Sequence, residues 1–316
     1  MSPGRVLVTG GAGFIGSHVC EAYLVQGWEV TALDNLDGGR AANVPRGVHL
    51  IEMDIRDEGV RRVFRDGGFD VVNHHAAQAN VRDSVSRPRH DASVNVDGLL
   101  NLLESALEFG LSRFVFVSSG GALYGEAAGL PIPRTAPKRP VSPYGVSKLA
   151  SEHYLDAFRR LRGLEYVALR YANVYGPRQD PHGEAGVVAI FARRILDGER
   201  LAVFGDGEQT RDFVFVKDVA AANILATNAH LPRAGGLDDV AFNVGTGERT
   251  SINALATAMI EIAGRAVGIA REPARPGDPM HNGLDCSEIR ALGWSPAHSL
   301  DAGLRETWDF IAREAA

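Results

Sequence analysis

Apolar residues along this chain follow two rhythms. Short runs rich in Val, Ile and Leu recur at Arg5–Thr9, Glu29–Asp34, Val48–Met53, Asp70–His74, Arg113–Ser118 and Glu165–Tyr171. Between them lie amphipathic stretches with apolar positions every three or four residues, such as Phe14–Gln26 and Ser93–Phe109. Near-continuous apolar strands separated by helices predict an α/β fold, a doubly wound parallel sheet of Rossmann type covered on both faces. After Gly176 the rhythm loosens. A Gly/Pro/His-rich loop, GPRQDPHGEAG, leads to a helix over Val187–Leu196, strands at Leu201–Phe204 and Asp212–Val216, a helix from Lys217, and the Pro/Gly-rich segment REPARPGDP. The pattern predicts a first domain over 1–176 and, mainly from 177–316, a smaller α/β lobe interleaved with it.

Composition narrows the function. Hydrophobic content of 45% and charged content of 23% fit an ordinary globular protein, and 316 residues suffice for a real core. A net charge of −6 and a pI near 5.9 argue against a nucleic-acid or anionic-membrane surface. No apolar run approaches the length of a membrane span, and the chain opens on a strand, not on a secretory leader. Cys20 and Cys286 are its only cysteines and form no CxxC pattern, so a reducing cytoplasm is expected and a structural zinc site is not. His74 and His75 end a strand, point to opposite faces and cannot share one ion; no metal site is expected.

Two stretches carry candidate chemistry. Directly after the first strand comes TGGAGFIGSH, in which Gly11, Gly13 and Gly16, or equally Gly10, Gly13 and Gly16, match a dinucleotide fingerprint. Glycines there permit a tight turn and let the backbone approach a pyrophosphate at the helix N-terminus. Asp34 ends the second strand, where a carboxylate accepts from ribose hydroxyls and repels a 2′-phosphate, favouring NAD over NADP; the nearby Arg40 is the feature that suits a 2′-phosphate. The second stretch is SPYGVSK. Ser142 is a good N-cap and Pro143 suits the first helical position, so a helix starts here with Tyr144 and Lys148 on one face. An ammonium beside a tyrosine stabilises the phenolate, and the spacing predicts a general acid/base working near neutral pH.

With these placed, the chain resembles the extended short-chain dehydrogenase/reductase family, and within it the nucleotide-sugar 4-epimerases of the UDP-galactose 4-epimerase type. The resemblance rests on TGGAGFIGSH, LDNL, MDIRD, HHAAQANV, SSGGALYGE, SPYGVSK, LRYANVYGP, TRDFVFVKDV and RPGD, in family order. It implies tightly bound NAD held by Gly10, Gly13, Phe14, Ile15, Gly16, Asp34, Asn35, Asp54, Ile55, Ala76, Ala77, Gln78, Asn95, Ser118, Tyr144, Lys148 and Tyr171. It implies catalysis by Tyr144 and Lys148. For the UDP-sugar it implies contacts from Asn173, Val188, Ala202, Phe204, Arg211, Arg275, Asp278 and Asn282, with the arginines suited to bidentate grip of a diphosphate. It also implies a homodimer joined through a four-helix bundle of Ser93–Phe109 and Tyr144–Arg160.

The reaction follows from what is missing. Relatives that eliminate water use an Asp-Glu pair, and the decarboxylases a Glu, where this chain has Gly120, Gly121, Ala122 and Leu123. Oxidation at C4, turnover of the 4-keto sugar and hydride return remain, which is 4-epimerisation. An oxidoreductase releasing reduced cofactor is the competing class. Gly120 stands where the family has Ser or Thr on the reacting hydroxyl, and Ser119 is the expected substitute, although strand alternation turns it to the other face unless the backbone adjusts. UDP-glucose/UDP-galactose is the expected substrate pair. Asn282, of moderate size, leaves room for an N-acetyl group, and Arg82 suits a glucuronate carboxylate, so those UDP-sugars stay open.

Overall fold

The computed structural model describes residues 3–126, 129–181, 186–231, 235–274 and 279–315. Seven strands form one parallel sheet: β1 (Arg5–Thr9), β2 (Glu29–Asp34), β3 (His49–Glu52), β4 (Val71–His74), β5 (Arg113–Ser119), β6 (Tyr166–Tyr171) and β7 (Ala241–Val244), in the order β7-β6-β5-β4-β1-β2-β3. Apart from edge strand β3, whose residues are half-buried or exposed, their apolar runs are buried on both faces. Val6, Val8, Val71, Val115 and Val167 pack with the helices Phe14–Val25 and Val216–Asn228 on one side. Leu7, Val72, Phe114, Phe116 and Ala168 pack with Val60–Gly67, Gly98–Glu108 and Pro143–Arg162 on the other.

The order reverses between β1 and β4, and the crevice beyond the carboxyl ends of strands at such a reversal is where an open α/β sheet takes its ligand. Side chains stitch that point. Thr9 Oγ1 lies 2.7 Å from His74 Nδ1 and accepts from Ala76 N at 3.3 Å, while Thr9 O accepts from His75 N at 3.0 Å.

Strand β7 is not announced by the hydrophobic pattern. It comes from the C-terminal part of the chain yet pairs with β6 as an edge strand. It is four residues long, AFNV, with a polar residue inside, too short to stand out as a period. The remaining C-terminal elements build a second core. Helices Val187–Leu196, Ile252–Ala263 and Leu300–Glu314 enclose Phe191, Ile195, Leu201, Val203, Leu255 and Met259. Leu201–Phe204 pairs in parallel with Ile269–Glu272, and Phe213–Phe215 pairs with Asn173–Tyr175, which carries the lobe directly beyond β6. The strand expected over Asp212–Val216 runs over Phe213–Phe215, with the next helix starting at Val216; a separate short strand, Thr210–Arg211, precedes it, and the buried Asp212 between the two turns its carboxylate to Thr246 and Gly247.

Candidate active site

The glycine loop is shaped by contact. Gly10 sits at φ +68°, and a Cβ there would lie 2.6 Å from the backbone N of Ala76; a Cβ on Gly16 would collide with the Gly10 carbonyl. Only glycine lets the loop fold this tightly against the strand and helix. Gly13 begins the helix Phe14–Val25 in extended backbone with no side-chain cap, so first-turn N–H groups remain open to an anion. Asp34, buried at the end of β2, accepts from Ala12 N at 3.0 Å and Leu36 N at 2.8 Å, tying the loop to the strand end. Beside it Asn35 donates to Asp54 at 3.0 Å, and Arg56 clamps the same carboxylate at 2.8 Å, holding it well below the usual range. These residues form a cradle that fits a dinucleotide.

The catalytic stretch lies at the other side of the reversal. Ser142 caps the helix Pro143–Arg162 by accepting from Gly145 N at 3.2 Å, and Pro143 opens it. Lys148 is 3% exposed; its Nζ donates to Val117 O at 2.9 Å and sits 5.0 Å from the Phe116 ring centroid and 5.9 Å from that of Tyr144. Burial lowers its pKa to about 8. Tyr144 goes the other way: burial pushes its phenol up to about 12, and the nearby Ser119 hydroxyl acts in the opposite sense. Tyr144 and Lys148 at this spacing are expected to make a general acid/base near neutral pH; within the protein alone the phenol is instead shifted upward. The Lys148 ammonium is aimed at a backbone carbonyl, and desolvation of the phenol is the larger effect.

Ser119 reaches Tyr144 because β5 ends there. Ala122 N and Leu123 N both bond back to Ser119 O, so the chain turns and alternation no longer applies. Gly120 packs away from Tyr144: a Cβ there would lie 2.5 Å from Leu284 Cδ1 and 3.2 Å from Arg170 O, so a larger residue would have to displace the buried Leu284 side chain.

A model of the NAD dependent epimerase/dehydratase family matches residues 6–245. The chain belongs to that family. Among solved structures, the UDP-glucose 4-epimerase of Thermotoga maritima with UDP-glucose is 44% identical, with a TM-score of 0.94 over 99% of this chain and 100% of that one. The Thermus thermophilus UDP-glucose 4-epimerase in complex with NAD is 47% identical, with a TM-score of 0.91 and the same coverage. The UDP-glucose 4-epimerase of Mycolicibacterium smegmatis is 41% identical over 317 residues, 98% of this chain and 99% of its own.

In this NAD-dependent epimerase, several of the expected contact residues engage their side chains within the fold. The Tyr171 side chain is core, with its hydroxyl 2.7 Å from Asn223 Nδ2, and cannot reach the cleft. Ser118 turns its hydroxyl to Glu152 at 2.6 Å. Asn95 bonds the backbone N and O of Gln78, both at 3.0 Å, and donates to Asp91 at 3.0 Å, so it fixes the loop. Ile55 packs against Gly98, and Val188 lies in the core of the C-terminal lobe. Phe14 and Ile15 also lean on that second core, at the first turn of their helix.

The other positions gather beyond β6. Asn173 N donates to Asp212 O at 2.9 Å, beside Arg211, and Asn282 N donates to Thr210 O at 3.1 Å. Ala202 and Phe204 share the less buried face of their strand, and Phe204 O accepts from Gln209 at 2.9 Å. Asn282 is buried with its Oδ1 lacking a partner, a cost that a ligand donor would remove. Arg275 and Asp278 lie outside the described residues.

His74 and His75 are both held neutral, first by burial and then by the Lys148 charge, His75 down to about 3. No group of three or more His, Cys, Asp or Glu suited to a metal occurs among the described residues. Sequence reasoning missed the pair beneath the catalytic residues. Glu152, one turn beyond Lys148 on the same helix face, is fully buried and grips Arg170 of β6 through both oxygens, at 3.0 and 2.6 Å. The i, i+4, i+8 spacing of Tyr144, Lys148 and Glu152 was the available signal.

Proposed function

We propose that this protein interconverts UDP-glucose and UDP-galactose by 4-epimerisation with NAD retained through the cycle. The observation that carries the reading is the meeting of Tyr144, Lys148 and Ser119 at the carboxyl edge of the sheet, across the reversal from the glycine cradle. When bound, NAD supplies a reversible acceptor for the C4 hydride and adds one positive charge to the cleft. Tyr144 exchanges the C4 hydroxyl proton, with the Ser119 hydroxyl beside its phenol. Lys148, buried and carrying a proton up to about pH 8, places a cation 5.9 Å from the Tyr144 ring centroid. The lack of any carboxylate from Gly120 to Leu123 supports return of the hydride over elimination of water.

Asn173, Arg211 and Asn282 converge around Thr210–Asp212 and bind the nucleotide sugar, with Arg275 and Asp278 completing the set; Ala202 and Phe204 flank the uracil. Val146, Tyr154 and Leu161 form an exposed apolar stripe on the outer face of the catalytic helix, and a second copy covers it in a cytoplasmic homodimer. Purified protein incubated with UDP-galactose should yield UDP-glucose, approach one equilibrium from either sugar, and accumulate no reduced nicotinamide. Stoichiometric NADH without the epimer would replace the reading with an oxidoreductase.

A further inference from the structure

Asp91 lies on the short helix Pro88–Ala92, is fully buried, and is bonded only by neutral groups. Its Oδ1 accepts from Gln78 Nε2 at 3.1 Å and Asn95 Nδ2 at 3.0 Å; its Oδ2 accepts from Ser147 Oγ at 2.6 Å. Three donors and no acceptor are what an ionised carboxylate needs. Burying such a charge is costly unless a cation compensates, and none of its bonded partners is one. The two sides it joins are informative. Gln78 ends the Ala76–Gln78 loop beside the glycine cradle, whose Gly10 is in contact with Ala76. Ser147 is the residue before Lys148.

The charged and titratable groups acting on Lys148 identify the compensating cation. From its own helix come Tyr144 and Glu152; from the end of β4 come His74 and His75, both neutral; from the Pro88–Ala92 helix comes Asp91. Glu152 is bound on both oxygens to Arg170. Asp91 is thus the one buried carboxylate of this set without a cation of its own, and it leads the charges that favour the Lys148 ammonium.

We propose that Asp91 is a positioning residue of the active site, clamping the Gln78 loop to the catalytic helix and serving as the buried counter-charge of Lys148. This rests on the assignment of Tyr144 and Lys148 as the catalytic pair. Asp91→Asn separates the two roles. The amide oxygen can keep both amide donors, and its NH2 can donate to Ser147 Oγ, so the clamp survives while the charge is lost. Asp91→Ala removes both.

The chain has only three lysines, Lys138, Lys148 and Lys217, so holoenzyme carrying 13Cε-lysine gives a spectrum in which Lys148→Met identifies the Lys148 signal. In Asp91→Asn the Lys148 midpoint should fall by about one pH unit, the alkaline limb of kcat/KM should move with it, and the NAD carried through purification should equal wild type. In Asp91→Ala retained NAD should also fall severalfold. An unchanged Lys148 midpoint in Asp91→Asn would overturn the counter-charge, and full NAD retention in a folded Asp91→Ala would overturn the clamp. Titration and NAD content are read without turnover, so an inactive wild type would defeat the proposed function while leaving this test intact.

Discussion

Two halves of one helix, Pro143–Arg162, use buried charge in opposite ways. Around Glu152 every charge is met: Arg170, fully buried, bonds Glu152 twice, Asp238 at 2.8 Å, the Tyr124 hydroxyl at 3.1 Å and Arg134 O at 2.7 Å. One turn earlier, Lys148 has a single carbonyl, and the carboxylate that most favours its ammonium, Asp91, is bonded to neutral donors. The first arrangement holds β5, β6 and the helix together. The second leaves a proton and a charge free to respond to what enters the cleft. Saturated pairing makes structure, and incomplete pairing at similar burial makes chemistry.

The largest test of that contrast is Tyr144→Phe. It should lower kcat by roughly 10²–10⁴ while thermal unfolding stays near wild type, since the hydroxyl that is lost interacts with the neighbouring Ser119 side chain and not with the paired charges around Glu152. The converse is Glu152→Gln, which leaves Arg170 short of charge in the core. It should cost about 3–5 kcal/mol in chemical denaturation, whereas Glu152→Leu with Arg170→Met should regain most of it. Equal stability losses from Tyr144→Phe and Glu152→Gln would erase the distinction.

Much of this is legible in the sequence, for physical reasons that differ by region. The parallel sheet follows from apolar runs and helix periods, and the cradle from glycines whose spacing only a tight turn explains. The SPYG cap announces the helix start. What fails is side-chain direction at strand ends. The family resemblance assigns Tyr171 and Ser118 to the cofactor, yet they point to Asn223 and Glu152. Alternation puts Ser119 on the wrong face because it cannot register the turn that follows, which is fixed by two bonds to the Ser119 carbonyl. The phenol's upward shift is hidden for a related reason, since burial depends on the packed molecule and not on a spacing of four residues.

Ser119 and Gly120 give the next test. Ser119→Ala should lower kcat about tenfold or more with little change in stability. Gly120→Ser should restore no activity and should destabilise by about 1–3 kcal/mol, because its Cβ meets Leu284. A folded, active Ser119→Ala/Gly120→Ser protein would show that residue 120 does face the site.

The smallest effect is a pH dependence of stability. Lys148 has a folded pKa of about 8, below the ordinary lysine value of 10.5, so between these the unfolded chain binds more protons. Its contribution to stability therefore rises with pH through that window. Lys148→Met lacks this rise, so its stability relative to cofactor-free wild type, followed by urea unfolding, should decline from pH 8 toward 10.5. A constant difference would mean Lys148 titrates at its ordinary value.

The central claim, that a hydride leaves C4 and returns to the same carbon within one holoenzyme, is tested most directly with UDP-galactose deuterated at C4. Incubated with excess unlabelled NADH in solution, the UDP-glucose product should keep its deuterium at C4. Deuterium lost from the product, or found in free nicotinamide, would contradict retention of the cofactor and with it the epimerase cycle.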